Sequence, residues 1–131
     1  MEVRLADSKD QQVIRKYDSH IPQNKACECI ERGLVTVLCD GNEIVGVLRY
    51  SLFWQTIPFL DLLYIDEAYR GKGYGKQMME QWESSMKCMG YAHVMLSTQE
   101  DEDAKYFYEK LDYRRIGAFL PRSKTRMKSC I

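Results

Sequence analysis

The chain is 131 residues long and carries 19 lysines and arginines against 19 aspartates and glutamates. That length suits a single domain over 1–131 with one core, and the even charge balance argues against nucleic acid or an anionic membrane as partner. No run of about 18 apolar residues marks a membrane span, no signal-peptide pattern opens the chain, and five cysteines with two histidines show no metal-ligand spacing. The expectation is a reduced, cytoplasmic protein that holds no metal.

Residues 3–6 read as a first strand. Asp7-Ser8 then offers an N-cap, and Val13, Ile14, Tyr17 and Ile21 recur at helical spacing. Pro22 is placed to open a second helix with Ala26, Cys27 and Ile30 inward and Gly33 closing it. Residues 34–39 and 44–54 are β-rich runs joined through Asp40-Gly41-Asn42, a hairpin signal. Thr56-Ile57-Pro58 turns the chain into an apolar strand over 59–65 that Asp61 interrupts. Three consecutive strands therefore form an antiparallel meander. Phe53 and Trp54 at its end read as core or rim packing.

The meander leads to Arg70-Gly71-Lys72-Gly73-Tyr74-Gly75-Lys76. Beyond it Met78, Met79, Trp82, Met86 and Met89 repeat at spacings of three and four, one face of a helix, and Gly90 suits a left-handed C-terminal cap. A helix start leaves about four backbone N–H groups unpaired, and its dipole favours anions. Glycines let a ligand approach the backbone, and Arg70, Lys72 and Lys76 add positive charge. A pyrophosphate is the natural guest. The spacing fits neither a Walker-A loop, which needs Lys followed by Ser or Thr, nor the G-x-G-x-x-G of a dinucleotide fold.

Residues 92–97 follow the helix as a crossover strand, parallel to 59–65. Acidic residues 100–103 open a last helix with Ala104, Phe107, Tyr108 and Leu111 on one face. Asp112 is placed for a left-handed turn, and 113–119 and 125–131 read as further strands. Six basic and no acidic residues between 114 and 128 form a solvated edge.

Arg70-x-x-Gly73-x-Gly75 resembles the coenzyme A signature of the GNAT superfamily of N-acetyltransferases. Ala104-Lys105-Tyr106-Phe107-Tyr108-Glu109-Lys110-Leu111 resembles that family's C-terminal helix. The resemblance implies an α+β (three-layer α/β, GNAT-like) fold: a mixed, mostly antiparallel central sheet, helices on both faces, and a splayed parallel strand pair. It implies acetyl-CoA as cosubstrate and an amine acceptor, a small molecule or a protein. Coenzyme contacts then fall on Leu63, Tyr64 and Ile65 through the strand edge, on Arg70, Gly71, Lys72, Gly73, Tyr74, Gly75 and Lys76 through the turn, and on Asp101. The loop around 20–24 would help wall the acceptor site, with an acceptor-lining role open for Phe53 and Trp54.

Direct attack on the thioester sets three tasks. The acceptor ammonium must lose a proton, and Asp61, a carboxylate in an apolar strand on the face of Leu63 and Ile65, is the candidate base. An ion pair with a neighbouring Arg or Lys is the equally open structural alternative for it, and a water chain could replace it as base. The thioester oxygen needs a donor, for which a backbone N–H freed where the strand distorts at 63–65 is the simplest source. The thiolate needs a proton or a hydrogen bond, the task the resemblance gives to Tyr108. A CoA-binding regulatory or interaction domain without turnover is the competing class. The acceptor's identity is not written in the sequence, and a homodimer stays open.

Overall fold

The computed structural model describes residues 1–97 and 104–116, and the chain divides into two compact units, Met1–Met95 and Leu96–Ile131. In the first, β1 (Glu2–Leu5) leads through a 3-10 turn, Ser8–Asp10, into α1 (Gln11–Tyr17). Asp7 caps that turn, and Asp10 returns the bond from its third position, a reciprocal capping box. α1 stops at Tyr17, so Ile21 lies in the following loop. Pro22 stands at the N-cap position of α2 (Gln23–Glu31), in an extended conformation and without a side-chain capping bond, so it precedes the helix instead of opening it. Cys27 is half-buried, while Ala26 and Ile30 are buried.

β2 (Val35–Asp40), β3 (Glu43–Phe53) and β4 (Ile57–Ile65) form the expected antiparallel meander. Trp54 is not in a strand. It and Gln55 occupy the β3–β4 turn at φ 51° and 62°, and Trp54 is 82% exposed with its ring stacked on Phe53. β4 accordingly starts at Ile57. α3 (Tyr74–Cys88) buries Met78, Met79, Trp82 and Met86. Met89 falls at the C-cap and is exposed, because the helix ends there in a Schellman motif: Tyr91 N–H bonds to Met86 and Gly90 N–H to Lys87. The crossover strand is shorter than expected: β5 is only Met95–Leu96. The sheet order is β1-β2-β3-β4-β5, with β5 parallel to β4 and the other pairs antiparallel.

Helices cover both faces of this sheet. On one, Ile14 of α1 and Ile30 of α2 pack with Val35, Val37, Cys39, Ile44 and Val47, and Leu62 joins from β4. On the other, α3 packs on β4 and the Trp82 ring lies 5.7 Å from that of Tyr50. Each fully buried Met or Leu contributes about 1.5–3 kcal/mol, so the two faces hold the sheet between them.

One irregularity decides where the site residues point. Tyr50 pairs with Leu60 and Arg49 with Leu62, which leaves Asp61 as an extra residue, a β-bulge. Leu60 lies opposite Tyr50 and so faces α3, whereas Leu62 faces α1 and α2. Two residues that a regular strand would put on one face are therefore on opposite faces.

In the second unit, α4 (Ala104–Lys110) has Phe107, Tyr108 and Leu111 half-buried, with Ala104 exposed. Asp112 takes the left-handed conformation expected of it, at φ 70°. Residues 113–116 are not a strand; the rest of 113–119, all of 125–131 and most of the basic edge lie outside the described residues.

Candidate active site

β4 delivers the chain into the glycine-rich turn through a series of short ties. Asp66 caps a 3-10 turn, Glu67–Tyr69, by accepting from the Ala68 N–H at 3.1 Å. Arg70 then folds back: its Nε donates to the Ile65 carbonyl at 2.8 Å, and its guanidinium lies 5.1 Å from the centre of the Tyr64 ring. That ring is 5.1 Å from Tyr17, whose hydroxyl lies 3.3 Å from Asp66 and from the Ile44 carbonyl. Tyr69 donates to Asp40 at 2.7 Å, which pushes its pKa up to about 12. The Lys72 ammonium sits 5.8 Å from the Tyr69 ring centre. Tyr64, Ile65, Arg70 and Lys72 are thus brought together by residues from α1, β2 and β4.

Gly71 and Gly73 have φ of 75° and 87°, values that cost an L side chain about 1–2 kcal/mol. Gly73 is the N-cap of α3, and its carbonyl accepts the first intrahelical bond, from Gln77 at 3.0 Å. The N–H groups of Tyr74, Gly75 and Lys76 precede that bond and have no partner within the helix. Gly75 needs no special conformation, since it already belongs to the first helical turn. Such a helix start can receive an anion, and Arg70, Lys72 and Lys76 are the basic residues of the turn and first helical residues. Leu63 pairs with Leu48 in the regular part of the ladder; the β4 distortion lies at Asp61, not at 63–65.

Asp61 does not share the face of Leu63 and Ile65. The bulge turns it to the α1–α2 face, where its Oδ2 lies 3.2 Å from Arg49 Nη1. Arg49 also grips Asp18, just past α1, through both Nε and Nη2. Burial pushes the Asp61 pKa up, opposed by Ser51 and Arg49, while Asp18 adds to the rise. Cys29 of α2 lies near this cluster, and burial pushes its thiol up as well, away from nucleophilic thiolate character. Asp18 and Arg49 were not legible as site residues, although Arg49 is the one charge in the sequence run 44–53.

In the second unit the Tyr108 ring packs edge-on against Phe107 at 5.0 Å and Tyr113 at 6.0 Å, and its carbonyl accepts from the Tyr113 N–H at 3.1 Å. Tyr106, two residues away, is 58% exposed. Asp101 lies outside the described residues. Among the described residues no group of His, Cys, Asp and Glu could hold a metal ion, and no helix is long and apolar enough to cross a membrane.

The sequence matches the model of the acetyltransferase (GNAT) family over residues 5–113. The chain belongs to that family. Similar solved structures include Ard1 from Thermoplasma volcanium (19% identity, 88% of this chain and 84% of that one, TM-score 0.78). A transcriptional regulator from Bacillus halodurans C-125 is 23% identical over 93% of this chain and 98% of its own, with a TM-score of 0.74. Rv2747 from Mycobacterium tuberculosis, in complex with CoA and NLQ, is 16% identical over 89% of this chain and 74% of its own, with a TM-score of 0.75. At these identities they share the fold with this GNAT chain. No curated protein sequence matches it.

Proposed function

We propose that the protein transfers an acetyl group from acetyl-CoA to a primary amine by direct attack in a ternary complex. The observation that carries this reading is the turn at 70–76: two left-handed glycines open the start of α3, and Arg70 is pinned beside it by Ile65 and Tyr64. A pyrophosphate suits that opening, and GNAT membership supports coenzyme A as its bearer. In this reading Leu63, Tyr64 and Ile65 give backbone hydrogen bonds to the pantetheine amides.

In the proposed reaction Asp61 accepts the proton of the acceptor ammonium, and the amine nitrogen bonds to the thioester carbonyl carbon. The carbon–sulfur bond breaks, and Tyr108 hydrogen-bonds or protonates the departing thiolate. The raised pKa of Asp61 suits a base that must hold a proton. A phenol near 10 is a weaker acid than a thiol near 8.5, so hydrogen bonding is the larger part of the Tyr108 contribution. The acceptor is a small molecule or a protein amine.

The test is an acceptor panel read by free-thiol release, repeated with Tyr108→Phe and Tyr106→Phe. Tyr108→Phe should slow turnover by about ten- to a thousandfold with coenzyme A affinity unchanged, and Tyr106→Phe should do little. Full turnover in Tyr108→Phe, with chemistry limiting, would remove Tyr108 from the reaction. One structural neighbour is described as a transcriptional regulator; tight coenzyme A binding with no turnover on any amine would favour a regulatory CoA-binding domain.

A further inference from the structure

Asp18, Arg49 and Asp61 form one line of charge across the α1–α2 face of the sheet. Arg49 spends Nε and Nη2 on Asp18 and its remaining arm, Nη1, on Asp61. Side-chain accessibility rises along the line, from 3% at Asp18 through 13% at Arg49 to 22% at Asp61. The buried end is therefore the anchor and the Asp61 end meets solvent. One guanidinium neutralises one carboxylate, and the fork goes to Asp18, so the cluster keeps a net negative charge at Asp61. The segment between α1 and α2 is fixed to the same anchor: Asp18 is its first residue, and Arg15 donates to the carbonyl of Ile21 near its end.

We propose that Arg49, anchored by Asp18, is the positioning residue for Asp61: it aims the carboxylate, holds the 18–22 segment beside it, and leaves there the negative charge that receives a cationic amine. This rests on the transferase reading above. Oδ2 is turned to Arg49 and the Ser51 hydroxyl also bonds the carboxylate, so both neighbours from β3 aim Asp61 while its side chain stays 22% accessible to an ammonium. The groups facing Asp61 are Arg49 and Ser51 from β3, Asp18 from the segment after α1, and Cys29 from α2. The Cys29 thiol is uncharged at neutral pH, which leaves Arg49 and Asp18 as the charges that tune Asp61.

Their signs are opposite, and so are the expected effects. Arg49→Gln removes a cation, so Asp61 should titrate at higher pH; Asp18→Asn removes an anion, so it should titrate at lower pH. The side-chain carboxyl is followed by NMR in the full chain, and kcat/KM for the best amine of the panel is measured across the same pH range. Opposite displacements, with the acid limb of kcat/KM tracking each, are the expected result. An acid limb that stays put while Asp61 moves, or equal rate losses at every pH, would overturn the positioning role.

Arg49→Lys guards against misfolding of the glutamine variant, since it keeps the charge but cannot span both carboxylates. It should lower kcat/KM about ten- to a hundredfold with unchanged coenzyme A affinity, and undiminished kcat/KM would overturn the proposal. Calorimetry with coenzyme A on the wild-type chain separates the two levels. Absent binding would remove the transferase reading and this inference with it, whereas tight binding without displaced titrations would remove only the role of Arg49.

Discussion

Gly73→Ala tests the phosphate turn with a cost that can be worked out. The residue is at φ 87° and no heavy atom lies within 4 Å of where a Cβ would sit. The protein offers no steric clash, so the penalty is the backbone's own, about 1–2 kcal/mol. It can be met by bearing the strain, which lowers stability, or by relaxing the turn, which re-aims the N–H groups of Tyr74, Gly75 and Lys76. A hydrogen bond to a charged partner contributes about 1.5–3 kcal/mol, so losing one should weaken coenzyme A at least about tenfold. Gly33→Ala is the control: φ is 73°, the space around it is equally open, and it sits at the far end of α2. Urea titration should give the two variants similar stability losses, and calorimetry should give only Gly73→Ala a weakened affinity. A folded Gly73→Ala protein that binds coenzyme A as well as Gly33→Ala does would refute the assignment of this turn.

Two titrating pairs give further checks. Arg4 holds Asp10 by a two-armed contact at 2.8 and 3.0 Å, which lowers the Asp10 pKa; its stabilisation is present above about pH 4 and lost as pH falls through the lower folded value. Asp10→Asn should therefore cost about 1.5–3 kcal/mol at pH 7, and the gap in thermal midpoint should narrow as pH falls below about 4, or the pair is not coupled to folding. Tyr69, held up at about 12 mainly by Asp40, should ionise at lower pH in Asp40→Asn when its ring is followed by NMR; an unmoved titration would mean the 2.7 Å bond does not persist in solution.

Much of this architecture could be read from residue spacing, because each repeat reports a local rule. Met78, Met79, Trp82 and Met86 marked the buried side of α3, and Asp40-Gly41-Asn42 marked the β2–β3 turn. Errors arose where one residue breaks a period. Trp54 looked like a strand residue because aromatic composition favours strands, yet it takes a left-handed turn position. Met89 kept the helical spacing but fell on the cap. Asp61 was legible as an odd carboxylate, while its face was not, because a bulge leaves no mark on composition and is defined only by the pairing across the ladder at Arg49 and Tyr50. Asp18 and Arg49 are 31 residues apart in sequence, beyond the reach of any periodicity.

The bulge itself can be put to the test by deleting Asp61. In a regular strand a deletion turns every later side chain to the wrong face. Here Tyr50 already pairs with Leu60 and Arg49 with Leu62, so removing the residue between them joins two segments whose pairings and faces already alternate. Deletion spares the ordering of one residue, about 1–2 kcal/mol, and forfeits a partly exposed ion pair of about 0–1 kcal/mol. Arg49 keeps its contacts to Asp18. The shortened chain should therefore fold with stability within about 2 kcal/mol of the parent, the range set by the ordering term, and keep its far-ultraviolet circular dichroism. Asp61→Ala is the matched variant, since it retains the bulge and loses only the carboxylate. If the bulge also frees a strand N–H for the thioester oxygen, the deletion should turn over more slowly than Asp61→Ala. Equal rates would confine the role of this position to its carboxylate, and a deletion variant that fails to fold would show that the ladder does not have the register on which the whole placement of Asp61 depends.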